Sequence, residues 1–309
     1  MKLTTREFKC LRAIVNLDQA RASGIATVVG LSRPDVSRVI TALQDKGFVT
    51  TKKIGLSKIA ILSETKHATL WRKLILEFKH MPLEELISGA SLEVLSAVCS
   101  FTLTNRKEIG QATLLSERSV ASVLEKLGRV GIIRKVMPKY SVSPRFRTLK
   151  EFVIEYRHYL NESIAEEFAA DAVVLWECDT EFVIESKTLR TKEGFQPTGA
   201  SAFSRFGIQL LIPSFYFFYS PSTRKLRLED VVLHSLLLPE RNVLPTMLVW
   251  KKHEKVVNIR YLKSQAKKYG AAEPVDAIIA YFASEGRERP LGFPTWDEFV
   301  LRAKEYGMR

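Results

Sequence analysis

Arg33, Ser37, Arg38 and Thr41 fall within one short window, at spacings that gather them on one face if the window is helical. Arginine can pair bidentately with O6 and N7 of guanine, while Ser and Thr hydroxyls bond base edges less selectively. Lys52, Lys53 and Lys58 follow closely and suit phosphate contact or the adjacent minor groove. Ser32, just ahead of the window, joins this set. A second set recurs downstream: Arg118, Ser119 and Ser122, then Arg134, Lys135 and Lys139, with Arg145 and Arg147 beyond. Both sets have the chemistry of double-stranded DNA recognition. A third set, Asp171 with Glu185-Ser-Lys187, has the types that in a nuclease hold Mg²⁺ and assist water. Glu-x-Lys is common by chance and no Pro-Asp immediately precedes the region, so exposed hairpin charges are the better account of it.

The elements that must carry the first two sets are duplicated at an offset of 84 residues. Leu31, Ser32, Val36, Val39, Leu43 and Gly47 recur as Leu115, Ser116, Val120, Val123, Leu127 and Gly131. Ile40/Leu124, Phe48/Ile132 and Val49/Ile133 keep the apolar type. In each copy a serine offers an N-cap, an apolar stripe of helical period follows, and a glycine marks the helix end. Earlier helices are expected near residues 5–17 and 22–29, and near 92–101 and 106–113. Two-stranded hairpins are expected after each glycine: 48–52 with 58–62 around Gly55, and 132–136 with 140–142 around Pro138-Lys139.

Helix, short helix, turn, capped helix, glycine and hairpin is the order of a winged helix-turn-helix. The segment from Ser23 to Val49 resembles the DNA-reading part of MarR-like winged-helix regulators, and the second copy resembles it less closely. Glu117 opens the second capped helix, where it repels phosphate while favouring the helix dipole. Copy two is therefore also a candidate protein-binding module.

Charge follows the same division. The 309 residues carry a formal net charge of +13. Residues 1–150 account for +14, and residues 151–309 for −1. Cys10, Cys99 and Cys178 are far apart, which argues against a disulfide framework or a zinc ribbon and fits a reducing, cytoplasmic setting. The N-terminus lacks the apolar core of a signal peptide, and no stretch is long and apolar enough to span a bilayer. No phosphate-binding glycine loop, HExxH or GxSxG occurs, so neither cofactor nor metal is expected and the chain reads as no enzyme. His234, inside an apolar segment, reads as a packed residue. Phe215–Tyr219 lacks interleaved basic residues and reads as a half-buried strand rather than a base-stacking platform.

The expected fold class is α+β: two tandem winged helices, then a small α+β domain with a helical tail. The expected divisions are 1–80, 81–148, a connecting helix over 149–170, and 171–309. Strands are expected over 172–178, 181–186, 214–219, 226–228 and 243–250, with helices over 200–206, 229–238, 256–269, 274–284 and from Thr295. Residues 195–199 read as a loop. Gln196–Ile208, Ser214–Pro221 and Leu228–Leu237 look like the C-terminal domain of AbiE-type antitoxins, across roughly 165–250. That resemblance implies an autoregulating antitoxin and a nucleotidyltransferase toxin encoded nearby. The sequence thus points to a regulator whose partner is double-stranded DNA, with no membrane partner and with a homodimer as one way to read a palindrome. The alternatives are the Mg²⁺-dependent nuclease and a winged-helix scaffold that binds proteins only.

Overall fold

The computed structural model describes residues 3–17, 20–54, 57–101, 105–136, 139–222, 224–238 and 243–308. The expected turn residues Gly55 and Pro138 lie outside them. The chain divides into two compact units, Met1–Leu160 and Asn161–Arg309.

The first unit opens with α1 (Thr5–Asn16), β1 (Ala20–Arg21), α2 (Ala22–Val29), α3 (Arg33–Asp45), β2 (Val49–Ile54) and β3 (Ser57–Leu62). Thr4 and Glu7 close a capping box on α1, and Ser32 caps α3 by accepting from the Asp35 N–H. β3 lies between β1 and β2, and both pairings are antiparallel. Then come α4 (Lys66–Glu77), a helix not expected from the sequence, and the single turn α5 (Leu83–Leu86). The earlier order recurs in α6 (Ala90–Ser100), α7 (Arg106–Thr113), α8 (Glu117–Arg129), β4 (Ile133–Val136) and β5 (Lys139–Val142). Ser116 caps α8 as Ser32 caps α3. A 3-10 turn, Pro144–Phe146, leads into α9 (Arg147–Phe168). Within the first unit the buried stripe of α9 is Leu149, Phe152, Val153 and Tyr156. Those rings meet Phe48, His67 and Trp71, so this stretch of α9 belongs to the core.

Four residues with positive φ turn the chain at two pairs of corresponding points. Gly47 and Gly131 both sit at φ 72 after their capped helices. A Cβ on Gly47 would lie 2.4 Å from Tyr159 Cζ, whereas one on Gly131 meets nothing within 4 Å. In the turn between α2 and α3 copy one has Gly30 at φ 69, and copy two has Leu114 at φ 57 and 87% exposed.

The second unit is an antiparallel sheet of β6 (Val173–Cys178), β7 (Glu181–Ser186), β8 (Phe195–Pro197) and β9 (Phe215–Tyr219), in the order β6-β7-β9-β8. Residues 195–197, expected as loop, supply its edge strand. Phe182, Ile184 and Phe217 on one face pack with Phe168 and Ala165. Val183, Tyr216 and Phe218 on the other pack with a 3-10 segment (Gly199–Phe206) and α10 (Leu228–Leu237). β9 is thus an interior strand buried on both faces, which is why its sequence is a continuous aromatic run rather than an alternation. Then come α11 (Val243–Lys252), α12 (Ile259–Lys268), α13 (Ala272–Ala283) and α14 (Trp296–Glu305), the last with a Thr295/Glu298 capping box. Residues 243–250 were expected as a strand and are helical, and residues 226–228 form no strand. Thr246 to Trp250 are all buried, so no polar face marks the helical period. Among the described residues no helix is long and apolar enough to cross a membrane.

Gly47→Ala should cost roughly 3 kcal/mol, combining a left-handed alanine with overpacking against Tyr159. Gly131→Ala should cost only about 1 kcal/mol, and Leu114→Gly should gain about 0.5–1 kcal/mol by relieving an exposed left-handed leucine. Urea unfolding of the three variants checks the order. Burial holds the imidazoles of His67 and His234 down at about 4. Both are neutral in the fold and protonate in the unfolded chain near 6.5. Stability is therefore full above pH 6.5 and falls as the pH drops towards 4, by up to about 3 kcal/mol per residue. Denaturation midpoints between pH 7 and 4 measure this, and a flat profile would refute it.

Candidate nucleic-acid interface

The α3 stripe of Val36, Ile40 and Leu43 is buried, leaving Arg33, Ser37, Arg38 and Thr41 exposed on the opposite side. Arg33, Ser37 and Thr41 follow one another at four-residue spacing along the helix. The Arg38 side chain is 80% exposed and reaches Asp35 at 3.3 Å, a surface pair a phosphate or base can displace at little cost. Two hydroxyls of the predicted set are engaged locally. Ser32 donates to Asp35 Oδ2, and Thr41 Oγ1 donates to the Ser37 carbonyl at 3.2 Å. Ser32 therefore positions the helix as its cap.

The register of the β2–β3 hairpin sorts its lysines. Lys53 stands directly opposite Lys58, whereas Lys52 is opposite Ile59, a buried residue. Adjacent strand residues point to opposite faces, so Lys53 and Lys58 share one face and Lys52 lies on the other. Two ammonium groups facing one another across a strand pair destabilise the hairpin, and a bound polyanion removes that cost.

The matching face of α8 has a different character. At the fixed offset, Arg33, Ser37, Arg38 and Thr41 become Glu117, Ala121, Ser122 and Glu125. Arg118 and Ser122 are exposed, and Ser119 Oγ lies 2.9 Å from the capping Ser116 Oγ. Arg129 pairs with Glu125. Burial lowers the Lys126 ammonium, whose Nζ donates to the Glu85 carbonyl at 3.2 Å. In the hairpin Arg134 pairs with Ser141 and Val136 with Lys139, so Arg134 and Lys139 share a face. Lys135 lies on the other, its Nζ 5.6 Å over the Tyr140 ring. Exposed Arg106 and Lys107 open α7. The first helix of a helix-turn-helix crosses the phosphate backbone, and the Arg-Lys pair directly after the capping Asn105 is the sequence signal for these two residues.

Asp171 belongs to a backbone clasp. The Lys187 N–H at 2.7 Å, with the Ser186 and Thr188 hydroxyls at 3.0 and 3.3 Å, holds its carboxyl below the usual carboxylate range. Glu185 lies on β7 opposite Val173 and Tyr216. Among the described residues no three His, Cys, Asp or Glu side chains gather as a metal site.

With that geometry in view, comparison with known families gives two matches. Residues 1–63, which end one residue past β3, match the family described as the sugar-specific transcriptional regulator TrmB. Residues 192–308 match a C-terminal family designated HVO_2833_C. Neither description names an antitoxin or a nucleotidyltransferase. No curated protein matches the chain. The N-terminal segment is therefore a TrmB-type winged helix-turn-helix, a DNA-binding regulator domain, where the sequence had suggested a MarR-like one.

Because Ser32 acts as a cap, Ser32→Ala should cost about 1 kcal/mol of stability, and Ser32→Asp should restore it. Thermal melts of the two variants distinguish capping from a purely ligand-facing role, in which neither would shift.

Proposed function

We propose that this chain is a transcriptional regulator in which the first winged helix reads DNA bases and the second, copy-two module serves a different surface. The observation that carries the reading is the outward face of α3, Arg33, Ser37, Arg38 and Thr41, beside a wing that opposes Lys53 to Lys58. Two arginines in the N-terminal part of α3 match the way such a helix enters the major groove. The opposed lysines match the phosphate contacts that fix register. The acids at the corresponding positions of α8 favour a protein or solvent environment there over a second base-reading helix. The narrower form of the proposal is an antitoxin that represses its own operon. It rests on the resemblance across residues 165–250 and requires that a co-encoded nucleotidyltransferase be neutralised.

Footprinting on the protein's own promoter region, with titrations at two salt concentrations, tests the reading. Arg38→Ala should weaken specific binding by roughly 1–3 kcal/mol and relax base preference at one position. Lys53→Ala should weaken binding to all sequences, lower the salt slope by about 1, and leave thermal stability unchanged or slightly raised. Arg118→Ala should change neither. No footprint, or wild-type binding in both copy-one variants, would sink the assignment.

A further inference from the structure

We propose that the second winged helix binds a small organic phosphate monoester in a cavity held between two lysines. The cavity, about 190 Å³, lies between the C-terminal end of α6, β5 and the first turn of α9.

Lys139 opens β5 and Lys150 lies in the first turn of α9; both are exposed and both line the cavity. Neither side chain forms an ion pair or a hydrogen bond among the described residues. The local chain offers them no acid, since residues 126–150 carry eight Lys or Arg and no Asp or Glu. Glu151, the next residue, accepts from Arg147 at 2.8 Å. Two unpaired cations on one concave wall repel each other, and an anion between them removes that cost. Ser100 ends α6 on the same wall. The helix dipole places roughly half a negative charge at such an end, which two full positive charges exceed.

The kind of anion follows from the wall. Both cations are lysines, and among the described residues no arginine lines the cavity. A planar carboxylate is matched by a guanidinium fork, whereas ammonium groups act as point charges suited to a tetrahedral oxyanion. A phosphate monoester carries about −1.5 to −2 at neutral pH, which two ammonium groups balance. Each phosphodiester of DNA carries a single charge. Tyr140 and Ser141 bring hydroxyls to the same wall, as donors for further phosphoryl oxygens. Buried Val98 and Phe101, with Val142, give the cavity an apolar part, so the ligand carries an apolar body as well. At roughly 10–15 Å³ per water, the volume takes about 13–19 water-sized groups, far more than inorganic phosphate fills.

The test titrates the full chain with phenyl phosphate by calorimetry, and one saturable site is expected. Inorganic phosphate, which leaves the apolar part unfilled, should bind at least about tenfold more weakly. Dimethyl phosphate, a diester, and benzyl alcohol, which is uncharged, should not saturate. Lys139→Gln and Lys150→Gln should each weaken phenyl phosphate about tenfold, with the melting temperature of the unliganded chain unchanged. Lys73→Gln, at an exposed position of α4, should leave binding as it is. Cys99 lies in the cavity wall, whereas Cys10 and Cys178 are buried, so bound phenyl phosphate should slow alkylation of Cys99 by N-ethylmaleimide. Absence of a saturable site, wild-type binding in both cavity variants, equal weakening in Lys73→Gln, or unaltered alkylation of Cys99 would overturn the proposal. Dimethyl phosphate binding as tightly as phenyl phosphate would overturn it too, by assigning the two lysines to the DNA backbone.

Discussion

The corner at residues 46–48 is the constraint on which the candidate interface depends. It converts the direction of α3 into that of the wing, and only a left-handed residue without a side chain fits where Gly47 meets the Tyr159 ring. The N–H groups of the corner bond back to α3, while its carbonyls and the Lys46 ammonium are tied to other parts of the unit. Lys46 Nζ pairs with Glu7, a nearly buried acid that also closes the α1 capping box. The Lys46 carbonyl lies 3.1 Å from His67 Nε2, and the Gly47 carbonyl accepts from Ser63 and from Thr65 at 2.9 Å. Phe48 meets His67 edge-on at 4.5 Å and Tyr156 at 4.9 Å. The orientation of α3 relative to Lys53 and Lys58 is therefore fixed by packing. Rigid placement of that kind lets a few side chains read bases without an ordering cost at binding.

The neutrality of His67 follows from the same packing. Its ring lies among Phe48, Tyr156 and Tyr159 with one nitrogen given to the Lys46 carbonyl. Desolvation outweighs the hydrogen bond and the nearby Glu155, which would otherwise favour a proton. A charged imidazole there would disturb the corner from behind, although His67 never faces the candidate DNA surface.

Features that depend on local chain chemistry were legible in the sequence. The caps at Ser32, Ser116 and Thr295 and the turn glycines Gly47 and Gly131 all lie where short-range rules place them. The outward positions of α3 followed from helical period alone. What depends on tertiary burial was not legible. Residues 243–250 look like a strand because a helix buried on most sides loses its polar stripe, and the 215–219 run looks half-buried although both its faces are covered. The lysines of the first wing looked equivalent, since only register tells Lys52 from the Lys53–Lys58 pair.

The two copies show which parts of a winged helix are set by backbone geometry and which are open to change. The cap, the apolar stripe and the left-handed glycine after the capped helix recur, because each answers a demand of the chain's own folding. The outward residues answer no such demand, and they diverge: Arg33 to Glu117, Thr41 to Glu125. The turn ahead of the capped helix diverges as well, with Leu114 carrying the left-handed angle that Gly30 carries in copy one. A leucine is poorly suited to that angle, and here it is exposed, so burial inside the unit does not explain it. The same separation explains the charge of the second half. Its near-zero total combines −9 over residues 151–185 with +8 over residues 186–309. Charge follows individual surfaces rather than domains, so the basic excess of the first half must itself be divided. The part proposed to meet DNA is the α3 face with one side of one hairpin, while the face of α8 that corresponds to the α3 face carries acid.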